Sequence, residues 1–260
     1  MNNRNGVKWS REETILAYDL YCKTPRSKIS SHNPEIIALA ELLGRTPGAV
    51  GLKMHNLAHF DPELREKNLI SMAHGSKLDE EIFTEFENDW TELSFLAQQI
   101  RAQMMKKEIT SLPEFEDITE IPPGEYRERK MRTRVGQYFF RITVLNSYGN
   151  KCCVTGINQR DLLIASHIKP WAVSNEKTER TNPSNGLCLN PLHDKAFDRG
   201  LITLDSKYNV RISKTIKETI MDEKTREWFM SYDKTPISLP DKFYPGRDFI
   251  EYHNDMIFLG

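Results

Sequence analysis

Between Glu108 and Glu125 the chain carries six acidic residues, no basic one, and Pro113, Pro122 and Pro123. Proline has no amide hydrogen to donate and disfavours helix at the residue before it. No regular element is expected to run through this stretch, so the chain must fold as parts on either side of it. The spacing predicts a helical region over 1–107, a linker over 108–126, a second domain over 127–213 and an extension over 214–260 that packs on it. At 260 residues there is length enough for more than one core.

Charge divides along the same lines. The net charge of −1 resolves into −7 over 1–126, +8 over 127–213 and −2 over 214–260, which points the middle segment at a polyanionic partner. No apolar run reaches the roughly 20 residues of a membrane helix, and the first residues lack the apolar core of a signal peptide. A cytoplasmic protein with no membrane partner is expected. Cys22, Cys152, Cys153 and Cys188 are too few and too irregular for a disulfide framework, and they are read as reduced, buried, small hydrophobes.

The first part reads as helices. Ser10 with Glu13 is a capping box, Pro34 opens a second helix that Gly44 closes, and Thr46-Pro47 opens a third. Three short helices with a tight turn before the third resemble a helix-turn-helix. Its candidate DNA contacts are Arg45, Lys53, His55 and Asn56. His55 and His59 have the i, i+4 spacing of metal ligands, but without a third ligand they are read as surface or capping residues. From Asp79 to Lys107, Phe83, Phe86, Trp90, Leu93, Ala97, Ile100 and Met104 repeat at steps of three and four. That stripe suits either packing on the first part or a paired helix in a homodimer.

The second part changes character. Arg127, Arg129, Lys130, Arg132 and Arg134 form a basic run, and Val135, Phe139, Ile142 and Leu145 mark a buried helix face. Then follow a strand at 162–165, a strand at 186–189, a helix at 191–198 and a hairpin from strands at 201–204 and 208–212. A helix is expected near 223–231, and the remaining tail is left unassigned. The fold class is α+β.

Three features of the second part carry chemistry. His167 ends the first strand, Asn185 precedes the second, and His193-Asp194-Lys195-Ala196-Phe197-Asp198 forms the helix. Asp194 and Asp198 are one turn apart on one helix face, where like charges repel unless a cation lies between them. Hard oxygen ligands favour Mg²⁺ or Mn²⁺. A histidine with an ordinary pKa near 6.5 is mostly neutral at cellular pH and can deprotonate water. Together these describe phosphodiester hydrolysis, although a lone histidine and an i, i+4 acid pair also occur on ordinary surfaces.

The run from Arg134 to Ile212 resembles the HNH endonucleases, in particular the branch found in bacterial restriction enzymes. The likeness is carried by Ala-Ser-His-Ile-Lys-Pro-Trp (165–171), Asn-Pro-Ser-Asn-Gly-Leu-Cys-Leu (182–189) and His-Asp-Lys-Ala-Phe-Asp-Arg-Gly-Leu-Ile (193–202). The resemblance implies a ββα-metal finger with His167 as general base and Asn185 holding the loop that orients it. It implies Asp194 and Asp198 as metal ligands, nine and thirteen residues after Asn185, with His193 as a lesser candidate for the metal or a phosphate. Many members carry a further ligand immediately before the base, and here that position is Ser166. The double Cys-x-x-Cys zinc site of some relatives has no counterpart, so a structural zinc is not expected. Arg132, Arg134, Arg141, Lys151, Arg160, Lys169, Lys195 and Arg199 become candidate phosphate contacts, and Trp171 is read as packing. The implied activity is metal-dependent DNA cleavage, in a setting of restriction of foreign or modified DNA. The competing class is a DNA-binding regulator that keeps the fold with weakened catalysis, and an enzyme acting on RNA or single strands is also open.

Overall fold

The structure, a computed structural model, describes residues 6–66, 75–111 and 125–260. It divides into two compact units, 1–143 and 144–260, and the class is α+β.

The N-terminal unit is helical: α1 (Arg11–Lys23), α2 (Pro34–Leu43), α3 (Pro47–Ala58), α4 (Pro62–Glu66), α5 (Lys77–Phe86) and α6 (Trp90–Met105). Each start has a local cause. Ser10 Oγ accepts from the Glu13 amide while the Glu13 carboxylate accepts from the Ser10 amide, and Asn33 and Thr46 cap α2 and α3 with proline in the first turn. Gly44 ends α2 at a φ of +65°, a left-handed conformation that costs a residue without Cβ little. Helix α1 packs on α2, α3, α5 and α6, with Leu16, Tyr18, Leu39, Met54, Ile82 and Leu93 in the core.

Helix α3 follows its tight turn as the sequence suggests, but of the four expected DNA contacts Arg45 and Lys53 have buried side chains, and His55 and Asn56 are half-buried. The Arg45 guanidinium donates to the Glu13 carboxylate at 2.7 Å and to the Val7 and Lys8 carbonyls, and lies over the Trp9 ring. Lys53 Nζ sits 2.6 Å from Asp79 Oδ1, the two side chains 5% and 0% exposed. Arg45 and Lys53 are therefore structural cations, because α3 buries their face against α1 and α5. The unit's acidic surplus is the complement of that arrangement. His55 and His59 hold no metal-ligand group among the described residues. His55 lies half-buried on α3, and the His59 ring sets its edge against Phe60.

The expected long helix over 79–107 is two helices. Asp89 accepts from the Glu92 amide and starts α6 anew after the turn at 87–89. Of the heptad stripe, Phe83, Phe86, Trp90, Leu93, Ala97 and Ile100 are buried within this unit and Met104 is exposed. Of the two alternatives the stripe thus takes the first, packing on its own unit, and among the described residues it presents no exposed seam for a paired helix.

Helix α7 (Glu125–Ser147) contains the basic run and crosses from one unit into the other. Met131 and Val135 pack with Phe95 and Ala102, and Phe139 stacks on Trp90. The boundary thus falls inside α7, after residue 143, rather than at 126, because the buried face of the basic segment belongs to the first core. Residues 112–124 of the expected linker lie outside the described residues.

In the C-terminal unit β1 (Ile164–His167) pairs antiparallel with β2 (Gly186–Leu189), placing His167 opposite Gly186. Helix α8 (Pro191–Asp198) follows, packed on β1 and on β3 (Ile202–Leu204), which pairs with β4 (Val210–Ile212). Short helices α9 (Lys214–Glu218) and α10 (Glu223–Met230) lead to α11 (Arg247–Met256), the element left unassigned in the sequence. His253 anchors α11: buried, it bonds Thr203 Oγ1 through Nδ1 at 2.8 Å and the Phe197 carbonyl through Nε2 at 3.0 Å, and stacks on the Phe197 ring.

Two outcomes follow from these buried polar contacts. Substituting Lys53→Met should cost about 3–5 kcal/mol in chemical denaturation, because Asp79 is left charged and dry, and Lys53→Met with Asp79→Leu should recover much of the loss. Burial pulls the His253 imidazole down to about 4. The unfolded chain then binds a proton that the folded one refuses between pH 6.5 and 4, so stability is complete above about 6.5 and falls by roughly 3 kcal/mol as pH drops to 4. His253→Gln should flatten that part of the stability–pH curve.

Candidate active site

Asn185 is the best-connected side chain of the region. Wholly buried at the end of a 3-10 turn before β2, it accepts from the Lys169 amide at 2.8 Å and donates to the Lys169 carbonyl, Ser174 Oγ and the Glu179 carbonyl. Ser174 in turn donates to the Lys169 and Pro170 carbonyls. One amide thereby folds the 168–182 loop back over the end of β1.

That loop positions His167. The Arg180 carbonyl lies 2.8 Å from His167 Nε2 and has no hydrogen to give, so the ring carries its proton on Nε2 and its neutral form has its lone pair on Nδ1. Trp171 sets an edge against the imidazole and lies under the Arg180 guanidinium. Burial pushes the His167 pKa below its usual value, and the Arg180 carbonyl opposes the shift in part. The ring is a neutral proton acceptor across the physiological range.

Helix α8 supplies the carboxylates. Asn190 Oδ1 caps it by accepting from the Leu192 and His193 amides, while Asn190 Nδ2 reaches Thr155 Oγ1 and Cys152 Sγ. Asp194 is half-buried and Asp198 exposed. Desolvation, then the charge of Asp194, raises the Asp198 carboxyl above its ordinary range, against the pull of Lys195 and Arg199.

His193 does not join them. It is buried, its Nδ1 is within bonding distance of Asn190, and its ring meets Phe229 and Tyr232. Its packing follows from its place on the buried side of an eight-residue helix. Among the described residues no three histidine, cysteine or acidic side chains form a ready metal cluster. Two carboxylates do suit Mg²⁺, which keeps several waters and completes its octahedron with substrate phosphate. Among the described residues Ser166 Oγ is buried with no hydrogen-bond partner.

The expected phosphate contacts separate into used and exposed. Lys169 Nζ is bonded to Glu179 at 2.6 Å and lies over the Tyr252 ring. Arg132 pairs with Glu92 and Glu128 over the Phe95 ring, and Arg134 is half-buried. Arg141, Lys151, Arg160, Lys195 and Arg199 are exposed. Sequence reasoning did not find Arg180, Ser174, Glu179 or Asn190. Arg180 and Glu179 act through main-chain carbonyls, which have no side-chain signature, whereas Asn190-Pro191 is a readable helix start.

The HNH endonuclease family model matches residues 152–205, the segment holding β1, the loop, β2 and α8. This region is an HNH endonuclease domain. Within the HNH domain both β1–β2 and the following helix fall inside the match. No curated protein matches the chain. A solved modification-dependent TagI restriction endonuclease is similar at 19% identity and a TM-score of 0.32, over 45% of this chain and 37% of that one. The chain thus spans little more than a third of that protein, and a superposition of this extent fixes no residue equivalence.

Replacing Asn185 with Ala should cost about 2–4 kcal/mol, through loss of buried hydrogen bonds to backbone, and should loosen the loop. An NMR titration of His167 should then show its pKa moving up towards 6.5, since desolvation is the larger cause of the shift.

Proposed function

We propose that the chain is a divalent-metal-dependent endonuclease that hydrolyses phosphodiester bonds in DNA. The observation that carries this reading is the His167 imidazole, half-buried, neutral and held as its Nε2–H tautomer by the Arg180 carbonyl, on the strand against which the acid-bearing helix packs.

In the proposed reaction His167 Nδ1 takes a proton from water as the water oxygen forms a bond to phosphorus. The P–O bond on the opposite side breaks, and its oxygen leaves to be protonated by solvent. Asn185 acts through the loop by keeping the imidazole in place. Asp194 and Asp198 would hold the Mg²⁺ or Mn²⁺. When bound, such an ion neutralises charge on the phosphoryl and leaving oxygens. Exposed Lys151, Arg160, Lys195 and Arg199 supply phosphate contacts that are independent of sequence. Restriction of foreign or modified DNA is the setting that the motif resemblance supports.

Ser166 favours a second reading. A hydroxyl is a poor ligand for a hard cation, and a finger with only two carboxylates suits a DNA-binding regulator with weakened catalysis.

Plasmid nicking in Mg²⁺ or Mn²⁺ separates the two. Wild type should nick, and His167→Ala should fall by about 10²–10⁴-fold; cleavage that survives the substitution removes His167 as base, and binding without cleavage in either metal favours the regulator. The rate should climb with pH as the imidazolium loses its proton, with a midpoint below 6.5 and a plateau by neutrality. Parallel reactions on plain, methylated and hydroxymethylated DNA test the restriction setting.

A further inference from the structure

Beside the first turn of α8, Ile157, Leu162, Leu192, Trp228 and Tyr232 wall a cavity of about 500 Å³, within the range of organic-ligand sites. Helix α10 buries Phe229, only 6% exposed, yet leaves the neighbouring Trp228 55% exposed. Leu162, Ile157 and Leu192 are also among the exposed large hydrophobics. Apolar groups gathered in a concavity and left wet are the mark of a contact surface.

We propose that this cavity is a subsite for a nucleobase displaced from its stack in a bound DNA strand, held by ring-face contact with Trp228 and Tyr232. The proposal deepens the nuclease reading and rests on it. Two observations select a strand-borne base as occupant. The cavity shares α8 with the candidate carboxylates: Asn190 to His193 line it, and Asp194 and Asp198 lie on the same eight-residue helix. Lys151, Arg160 and Lys195 are exposed on the segments that carry the lining, so an anionic backbone has cations beside an apolar slot. An apolar peptide would use only the slot.

In the lining Asn190 and Thr155 satisfy one another, while His193 Nε2 is buried with no hydrogen-bond partner among the described residues. Asn190 Oδ1 accepts from the Leu192 and His193 amides, and its Nδ2 donates to Thr155 Oγ1 at 3.1 Å. The exposed part of the lining is apolar and aromatic, so contact is through ring faces and the subsite accepts any base, as stacking platforms do. A base can enter only when it has left its neighbours, so the favoured substrate carries an unpaired nucleotide near the scissile bond. A mismatch, bulge or single-stranded junction offers such a base at lower cost than a perfect duplex.

The test uses the full chain in EDTA and fluorescence anisotropy of labelled DNA. A duplex with one bulged base should bind about tenfold tighter than the perfect duplex. That advantage should vanish when the bulge is abasic, and also in Trp228→Ala, while Trp228→Phe keeps most of it. Equal binding of bulged and perfect duplex would overturn the proposal, as would a preference that survives in Trp228→Ala. Displacement of the bulged duplex by an equimolar free nucleoside monophosphate would reassign the cavity to a mononucleotide and overturn it too. Wild-type nicking in Mg²⁺ is scored separately. Nicking without any bulge preference removes the subsite alone, and a bulge preference without nicking removes hydrolysis while the base contact stands.

Discussion

The arrangement of the HNH domain depends on the burial of one primary amide. Asn185 sits between the two strands in sequence and has no exposure, so each of its polar atoms must find a partner in the protein. The partners are the backbone of Lys169 and Glu179 and the hydroxyl of Ser174. This closes the loop and brings the Arg180 carbonyl to His167. Tautomer, orientation and depressed basicity of the imidazole are downstream of that closure. An isosteric acid or an apolar side chain at 185 could not both donate and accept in the same place.

The other half of the site is a helix of eight residues, too short to be stable by propensity. It is held by contacts from outside. Asn190 fastens its start to Thr155 and Cys152. Phe197, near its end, is clasped by His253 through both its ring and its carbonyl. The extension beyond 213 thus completes the core of a domain whose own strands are three and four residues long. The rigidity of the two-carboxylate face comes from these anchors.

In the N-terminal unit, charge does structural service. Glu13 with Arg45 and Asp79 with Lys53 are ion pairs with almost no solvent contact, and each acid also belongs to a capping box. The desolvation of these ions is offset only because carboxylate, cation and amide partners are all in place. A helix whose basic residues point inward has none left there for phosphate. This agrees with the acidic balance of residues 1–126.

What the sequence by itself determined is local. Ser10 with Glu13, Thr46 with Pro47 and Asn190 with Pro191 start helices because the interacting groups lie within four residues of each other, and the same helical period puts Asp194 and Asp198 on one face. His167 and Asn185 were legible because residue type and order survive in a motif. Only the tertiary structure decided which charges are buried: Arg45 finds Glu13 across 32 residues and Lys53 finds Asp79 across 26. Likewise, it turned the heptad stripe inward, broke its helix at Asp89, and drew α11 onto β3 through His253. It also held His167 by a main-chain carbonyl, a group every residue possesses. No local window contains both partners of such contacts, so their formation is fixed by which surfaces must leave water together.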